Sequence, residues 1–235
     1  MQLARNKANG KSRQTPQTKG SALFHAMRRA ILLREFRQGE VLTEQQIGAE
    51  FNCSQGTVRE ALMRLQEEGL VQRRGYRGTT VSQFSLVEVA QMANIRIKLE
   101  VEGVRRSAGS FSMEDMAELE GYLANMEQAV VDAESYALSE LDRKLHLAIF
   151  RRADLPALEP ILTRCMLHMH LQTFGNPKPE GRSVSPTEAH RPILDALAVR
   201  DPDGAAEAIQ SHINTTISLW SPHLKSEMEQ FEPAK

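Results

Sequence analysis

The chain has 235 residues, 41% hydrophobic and 25% charged, enough for two domains with packed cores. Its two cysteines, Cys53 and Cys165, exclude a disulfide scaffold or a thiolate zinc site and fit a reducing cytoplasm. No run approaches a membrane span of roughly 20 apolar residues, and no basic-then-apolar leader opens the chain, so no membrane role is expected. The 29 basic and 30 acidic residues are unevenly placed: 14 against 7 up to residue 82, and 15 against 23 beyond it. A basic front and an acidic back point to a polyanion as the front's partner.

Residues 1 to 20 are polar and basic without periodicity, and read as a disordered arm. Residues 21 to 82 read as three helices plus a small β-hairpin wing. Thr43 with Gln46 three positions on has capping-box spacing, and Ile47 and Phe51 share one helix face. The turn Asn52-Cys53-Ser54 ends that helix, and Ser54 is suited to cap the next. There Val58, Leu62 and Leu65 form an apolar stripe, leaving Gln55, Thr57, Arg59 and Arg64 off it. Leu70-Val71 and Thr79-Thr80-Val81 read as strands around Arg73-Arg74-Gly75-Tyr76-Arg77-Gly78. A helix with a polar N-terminus after a tight turn is the form that enters a major groove, with the arginine-rich wing beside phosphates.

The run Ser54-Gln55-Gly56-Thr57-Val58-Arg59-Glu60-Ala61-Leu62, then Arg64-Leu65, Glu68-Gly69-Leu70-Val71 and Arg74-Gly75, resembles the winged helix-turn-helix of the GntR family of bacterial repressors, over about residues 23 to 82. The resemblance implies a homodimer on palindromic double-stranded operator DNA. Gln55, Thr57 and Arg59 would then read base edges, Gln favouring adenine and Arg guanine. Ser54, Arg64, Arg73, Arg74 and Arg77 would lie at phosphates or in the wing's groove, and Gln45, Gly56 and Gly75 complete the DNA-binding set. Gln55 and Gly56 stand where the family usually has Arg and Thr, and Gln45 where some members have Arg. The fold reading is unaffected, and the operator sequence stays open.

Residues 83 to 228 read as an all-α antiparallel bundle of about six helices, near 86–108, 113–132, 136–153, 156–174, 187–200 and 203–226, with a flexible tail at 229–235. Capping boxes at Ser85/Glu88 and Ser112/Asp115, the Ser185-Pro186-Thr187-Glu188 start and Asp201-Pro202 mark the openings. Pro192 inside the fifth helix predicts a kink, and 175–184 a loop. Asp142 and His146, four apart, project from the edge of the stripe Leu138, Leu141, Leu145 and Ile149. His190 lies within the stripe Ile193, Leu194 and Leu197, and His212 on the face of Ala205, Ala208, Thr216 and Leu219. One carboxylate and three imidazoles aimed into a bundle suit a divalent ion such as Zn²⁺ or Ni²⁺. Singly, each histidine reads equally as a hydrogen-bonded core residue, and the Asp142–His146 pair as a side-chain hydrogen bond.

The segments Asp142-Arg143-Lys144-Leu145-His146, Glu188 to Leu197, Arg200-Asp201 and Ser211-His212 are similar to the FCD effector domain of the FadR subgroup, from about Ser85 to Leu224. The resemblance implies metal ligation by Asp142, His146, His190 and His212. It also gives Arg96 a role at the effector; the plain alternative is an ion pair with Glu100 on the same apolar face. Leu155 replaces an Asn frequent before the proline, so no ligand contact is expected there. His168 and His170 are read as polar surface or lining residues outside the metal set, and Trp220, Met166 and Met169 as core. The expected function is a ligand-responsive regulator, a repressor and not an enzyme, sensing a small carboxylate that Arg96 would fork onto. The alternatives are a metal-dependent hydrolase on the same four residues, against which no His-Glu-x-x-His base is present, and a metal-free regulator.

Overall fold

Most helices begin where a side chain can accept a free N–H. In the computed structural model, which describes residues 18–73, 78–173 and 185–230, Thr18 caps α1 (Lys19–Leu32). The short strand β1 (Val41–Leu42) follows; then Thr43 caps α2 (Glu44–Glu50) and Ser54 caps α3 (Gln55–Glu67). The strands β2 (Val71–Arg73) and β3 (Thr79–Val81) complete this unit. The wing is a three-stranded antiparallel sheet of order β1-β3-β2, not a two-stranded hairpin, because Val41 and Leu42 pair with Thr80 and Thr79. β2 pairs on the other side, Val71 facing Val81 and Arg73 facing Thr79. Two residues were too short a run to stand out as a strand. Lys19 and Gly20, expected in the arm, are helical.

The second unit is helical throughout: α4 (Leu86–Ser107) with a 3₁₀ turn at Ala108–Ser110, α5 (Met113–Val131), α6 (Ser135–Arg151), α7 (Glu159–Thr173), α8 (Pro186–Ala198), α9 (Pro202–Trp220) and α10 (Pro222–Glu229). Ser85, Ser112 and Ser185 make full capping boxes and Asp201 caps α9. The last expected helix is two: Pro222 supplies no N–H and restarts the chain as α10 after Ser221. Pro192 lies inside α8 without ending it. The expected tail begins inside α10, since Glu229 is its last residue. Residues 1–17 of the basic arm, the whole loop at 175–184 and tail residues 231–235 lie outside the described residues.

Helix α4 is the axis of the bundle, packed against α6, α7, α9 and α10. One apolar cluster fills the bundle, from Val89 and Ala93 on α4 to Ile209, Ile213 and Ile217 on α9. A second centres on Phe24, Met27, Ile31, Val58, Leu62 and Leu65, and takes in Leu167 and Leu171 of α7. Each of those leucines is essentially buried and worth roughly 1.5–3 kcal/mol. They seat the amino-terminal unit directly on the bundle.

Candidate functional site

Helical spacing places Asp142 and His146 on one edge of α6, one turn apart. Helix α8 brings His190 and α9 brings His212 to the same point, where one donor atom from each of the four lies within 4.8 Å of the others. His190 Nε2 is 3.1 Å from Asp142 Oδ1, His146 Nε2 is 3.2 Å from His212 Nε2 and 3.9 Å from Asp142 Oδ1. Ligands about 2.0–2.2 Å from a common zinc-sized ion stand roughly 3–3.5 Å apart, so the spacing fits one ion.

The outer nitrogens fix the ring tautomers. His190 Nδ1–H donates to the Pro186 carbonyl (2.8 Å) and His212 Nδ1–H to the Ala189 carbonyl (3.1 Å). His146 Nδ1–H donates to the Glu100 carboxylate, whose other oxygen holds Arg96 Nε at 2.5 Å. Carbonyls and ionised carboxylates only accept, so each neutral ring carries its lone pair on Nε2, aimed inward. Two Nε2 lone pairs 3.2 Å apart repel unless a cation lies between them. This donor set fits a borderline divalent ion.

Without an ion, protons take its place at the centre, and a metal would displace them. Burial opposes ionisation of Asp142, yet the facing His170, His190 and His146 rings hold its carboxyl well below the usual range. Burial likewise opposes the charge on Glu100, but His146 and Arg96 prevail and bring it down to about 2. Burial would lower His190, and Asp142 more than reverses that, raising it. Burial, with His190 and His146 alongside, pushes His212 well below the ordinary imidazole value and leaves it a neutral donor.

Four residues around the centre were only partly legible in the sequence. Arg96 is buried and its Nε is committed to Glu100, the ion pair offered as the plain alternative, with Nη1 near Met169 Sδ at 3.9 Å. Glu100, treated only as that pair's partner, also orients His146. A buried carboxylate one turn from a buried Arg was the available signal. His168 is not a surface residue: it is fully buried, donating Nε2–H to the Gly69 carbonyl at 3.3 Å with its ring against Phe84. His170 reaches the centre's edge, its Nε2 3.8 Å from Asp142 Oδ2.

In the amino-terminal unit, Gln45, Ser54, Gln55, Gly56, Arg59 and Arg73 are exposed. The hydroxyls of Ser54 and Thr57 bond each other at 2.9 Å across the α3 cap. Arg59 rests its Nε on both Glu44 oxygens, at 2.8 and 2.9 Å. Arg64 does not join them. Five residues beyond Arg59 it points about 140° away around the helix, and its guanidinium lies 3.9 Å over the Phe24 ring. Arg74, Gly75 and Arg77 lie outside the described residues.

A capped reading helix beside a small wing, carried on a helical bundle with a polar centre, defines a DNA-binding regulator with a sensing domain. Comparison with known families agrees: residues 19–81 match the bacterial regulatory proteins of the gntR family and residues 91–215 the FCD domain. The chain belongs to the GntR family, in its FadR subgroup with a carboxy-terminal FCD domain. It is 29% identical over 198 residues to the HTH-type transcriptional repressor RspR of Escherichia coli, covering 81% of this chain and 84% of that protein. It is 28% identical over 217 residues to the HTH-type transcriptional repressor NanR of Cronobacter sakazakii, covering 81% and 80%. The fold is shared with the solved structure of E. coli McbR/YncC, at TM-score 0.71 and 18% identity over 88% of this chain and 98% of that one. These curated relatives are transcriptional regulators and not enzymes, and the hydrolase alternative falls with that finding.

Proposed function

We propose that this protein is a cytoplasmic repressor that binds a palindromic operator as a homodimer and yields it to a small carboxylate sensed at a zinc or nickel centre. The observation that carries the metal reading is the convergence of three Nε2 lone pairs and the Asp142 carboxylate on one point, each ring locked by an outer acceptor. Asp142, His146, His190 and His212 hold the ion. Bound there, a divalent ion supplies an electrophilic anchor for a carboxylate. Asp142, with 23% of its side chain exposed, marks the side from which such a ligand enters. Arg96 lends the chamber positive charge through its paired guanidinium, in surroundings where burial strengthens attraction to an anion.

At the other end, Gln55, Thr57 and Arg59 read base edges, and Gln45, Ser54, Gly56, Arg73, Arg74, Gly75 and Arg77 meet phosphates or the wing's groove. Release of DNA requires that the acid favour one arrangement of the paired heads over another, since equal affinity for both shifts nothing. Elemental analysis of protein purified without chelator tests the centre: close to one equivalent of zinc or nickel per chain is expected. A thermal-shift screen against organic acids tests the ligand class; an acid at about 100 times its Kd adds about 2.7 kcal/mol. No stoichiometric metal, with His190→Ala and His212→Ala indistinguishable from the parent, overturns the reading.

A further inference from the structure

The turn joining the reading helix to the wing, Glu68-Gly69, is tied to the effector domain at two points, directly by α7 and through Arg28 by α6. Arg28 of α1, 4% exposed, donates Nη1–H to Glu68 at 3.1 Å and Nη2–H to Glu140 of α6. Glu140 also receives Arg143 Nη2–H at 2.7 Å. His168 of α7 donates to the Gly69 carbonyl at 3.3 Å. Gly69 itself has φ +74, and a Cβ there would lie 2.3 Å from Arg164 Nε, also on α7. Arg34 Nη2, just past α1, donates to the Leu171 carbonyl of α7 at 2.9 Å.

Both gripping helices also reach the metal centre. Glu140 and Arg143 flank Asp142 on α6, and His146 follows one turn on. His168 is two residues before His170, which stands 3.8 Å from Asp142. A helix transmits a shift along its length, so whatever moves Asp142 or α7 at the chamber also moves Glu140 and His168 at the turn. The grip is incompletely satisfied: among the described residues, buried Arg28 Nε and Glu68 Oε2 have no hydrogen-bond partner. A buried ionic network left partly unpaired is a poor source of stability. It suits a contact that re-pairs between two arrangements.

We propose that Arg28, Glu140 and His168 are positioning residues that couple the metal chamber to the Glu68-Gly69 turn and so set α3 against the wing. The proposal rests on the metal and DNA readings above. It assigns the coupling to Glu140 on α6, His168 on α7 and Arg28 on α1, residues placed above neither among the ion's ligands nor among the DNA contacts.

The test uses full-length protein and a duplex selected by that protein from a random library. DNA affinity is measured with zinc-loaded and chelator-stripped protein, for the parent, Glu140→Gln, His168→Phe and the double variant. Zinc affinity is followed separately by calorimetry. The parent's two DNA affinities are expected to differ tenfold or more. In the double variant the ratio falls to within twofold while zinc affinity stays near that of the parent; the thermal midpoint drops, because Arg28 and Arg143 lose their shared buried carboxylate, but lost stability alone would not equalise the two DNA affinities. A double variant that keeps the parent's ratio overturns the proposal, as does a parent that binds zinc without any change in DNA affinity. A parent that takes up no zinc overturns the metal reading instead. The coupling is then judged from hydrogen exchange at residues 66–72 after Asp142→Ala: faster or slower exchange supports it, and unchanged exchange overturns it. If either variant fails to fold, the other is read alone, with the same ratio as the criterion.

Discussion

Glu100→Gln isolates the part of the centre that no ligand list would include. Glu100 is 1% exposed and divides its two oxygens between His146 Nδ1 and Arg96 Nε. The substitution keeps the volume and removes the charge. If the amide presents its oxygen to His146, the ring keeps its tautomer but loses the carboxylate that raises its basicity. If it presents its NH₂, the ring proton moves to Nε2 and the ligand is lost. Losing an outer partner of this kind typically weakens metal affinity by 10- to 100-fold, about 1.4–2.7 kcal/mol. Arg96 is also left as a buried cation without its counter-ion, and breaking such a pair costs about 3–5 kcal/mol of folding stability. Competition against a chromophoric chelator reads the first quantity and urea unfolding of the stripped protein the second. Zinc affinity within twofold of the parent would refute the claim that Glu100 orients the ligand set.

Three further outcomes are expected. Burial pulls His168 down to about 4 from an ordinary 6.5, outweighing its bond to Gly69. Between those values the unfolded chain binds more protons than the folded one, so stability falls as pH drops through that window, by on the order of 3 kcal/mol in full. His168→Phe should therefore flatten the fall in melting temperature between pH 6.5 and 4.5; a variant that follows the parent over that range contradicts the assignment. At the reading head, Arg59→Ala should relax preference at one base position by about 1–3 kcal/mol, read as relative affinities for single-base variants of the selected duplex. Arg64→Ala should cost about 0.5–1 kcal/mol of stability through its Phe24 contact and leave the salt dependence of DNA binding unchanged.

What was legible in the sequence was local or strongly periodic. Every helix start argued from a cap is present, because Thr43, Ser54, Ser85, Ser112, Ser185 and Asp201 act on residues three positions away. The four candidate ligands converge because each sits on or at the edge of an apolar stripe, and burying the stripes brings those side chains together. The misses are non-local. Nothing near Val41-Leu42 announces pairing with Thr79 and Thr80 some 38 residues on. Arg64 shares a helix with Arg59, and only the packing of Phe24 from α1 shows where its guanidinium rests in the free protein. His168 and His170 could not be told apart until α7 was seen lying between the two units, one ring turned to Gly69 and the other to Asp142. Pro222 was a readable stop that apolar periodicity on both sides obscured.

The central claim joins DNA affinity to an acid sensed in the bundle, and one titration addresses both. Fluorescence anisotropy of the selected duplex with zinc-loaded protein, at rising salt and then against a panel of organic acids, should show affinity falling steeply with salt, as expected when basic side chains displace counter-ions. At fixed salt, at least one small carboxylate should shift the midpoint tenfold or more. A molecule that leaves the duplex unbound at 50 mM salt, or binds it with an affinity no acid alters, contradicts the account.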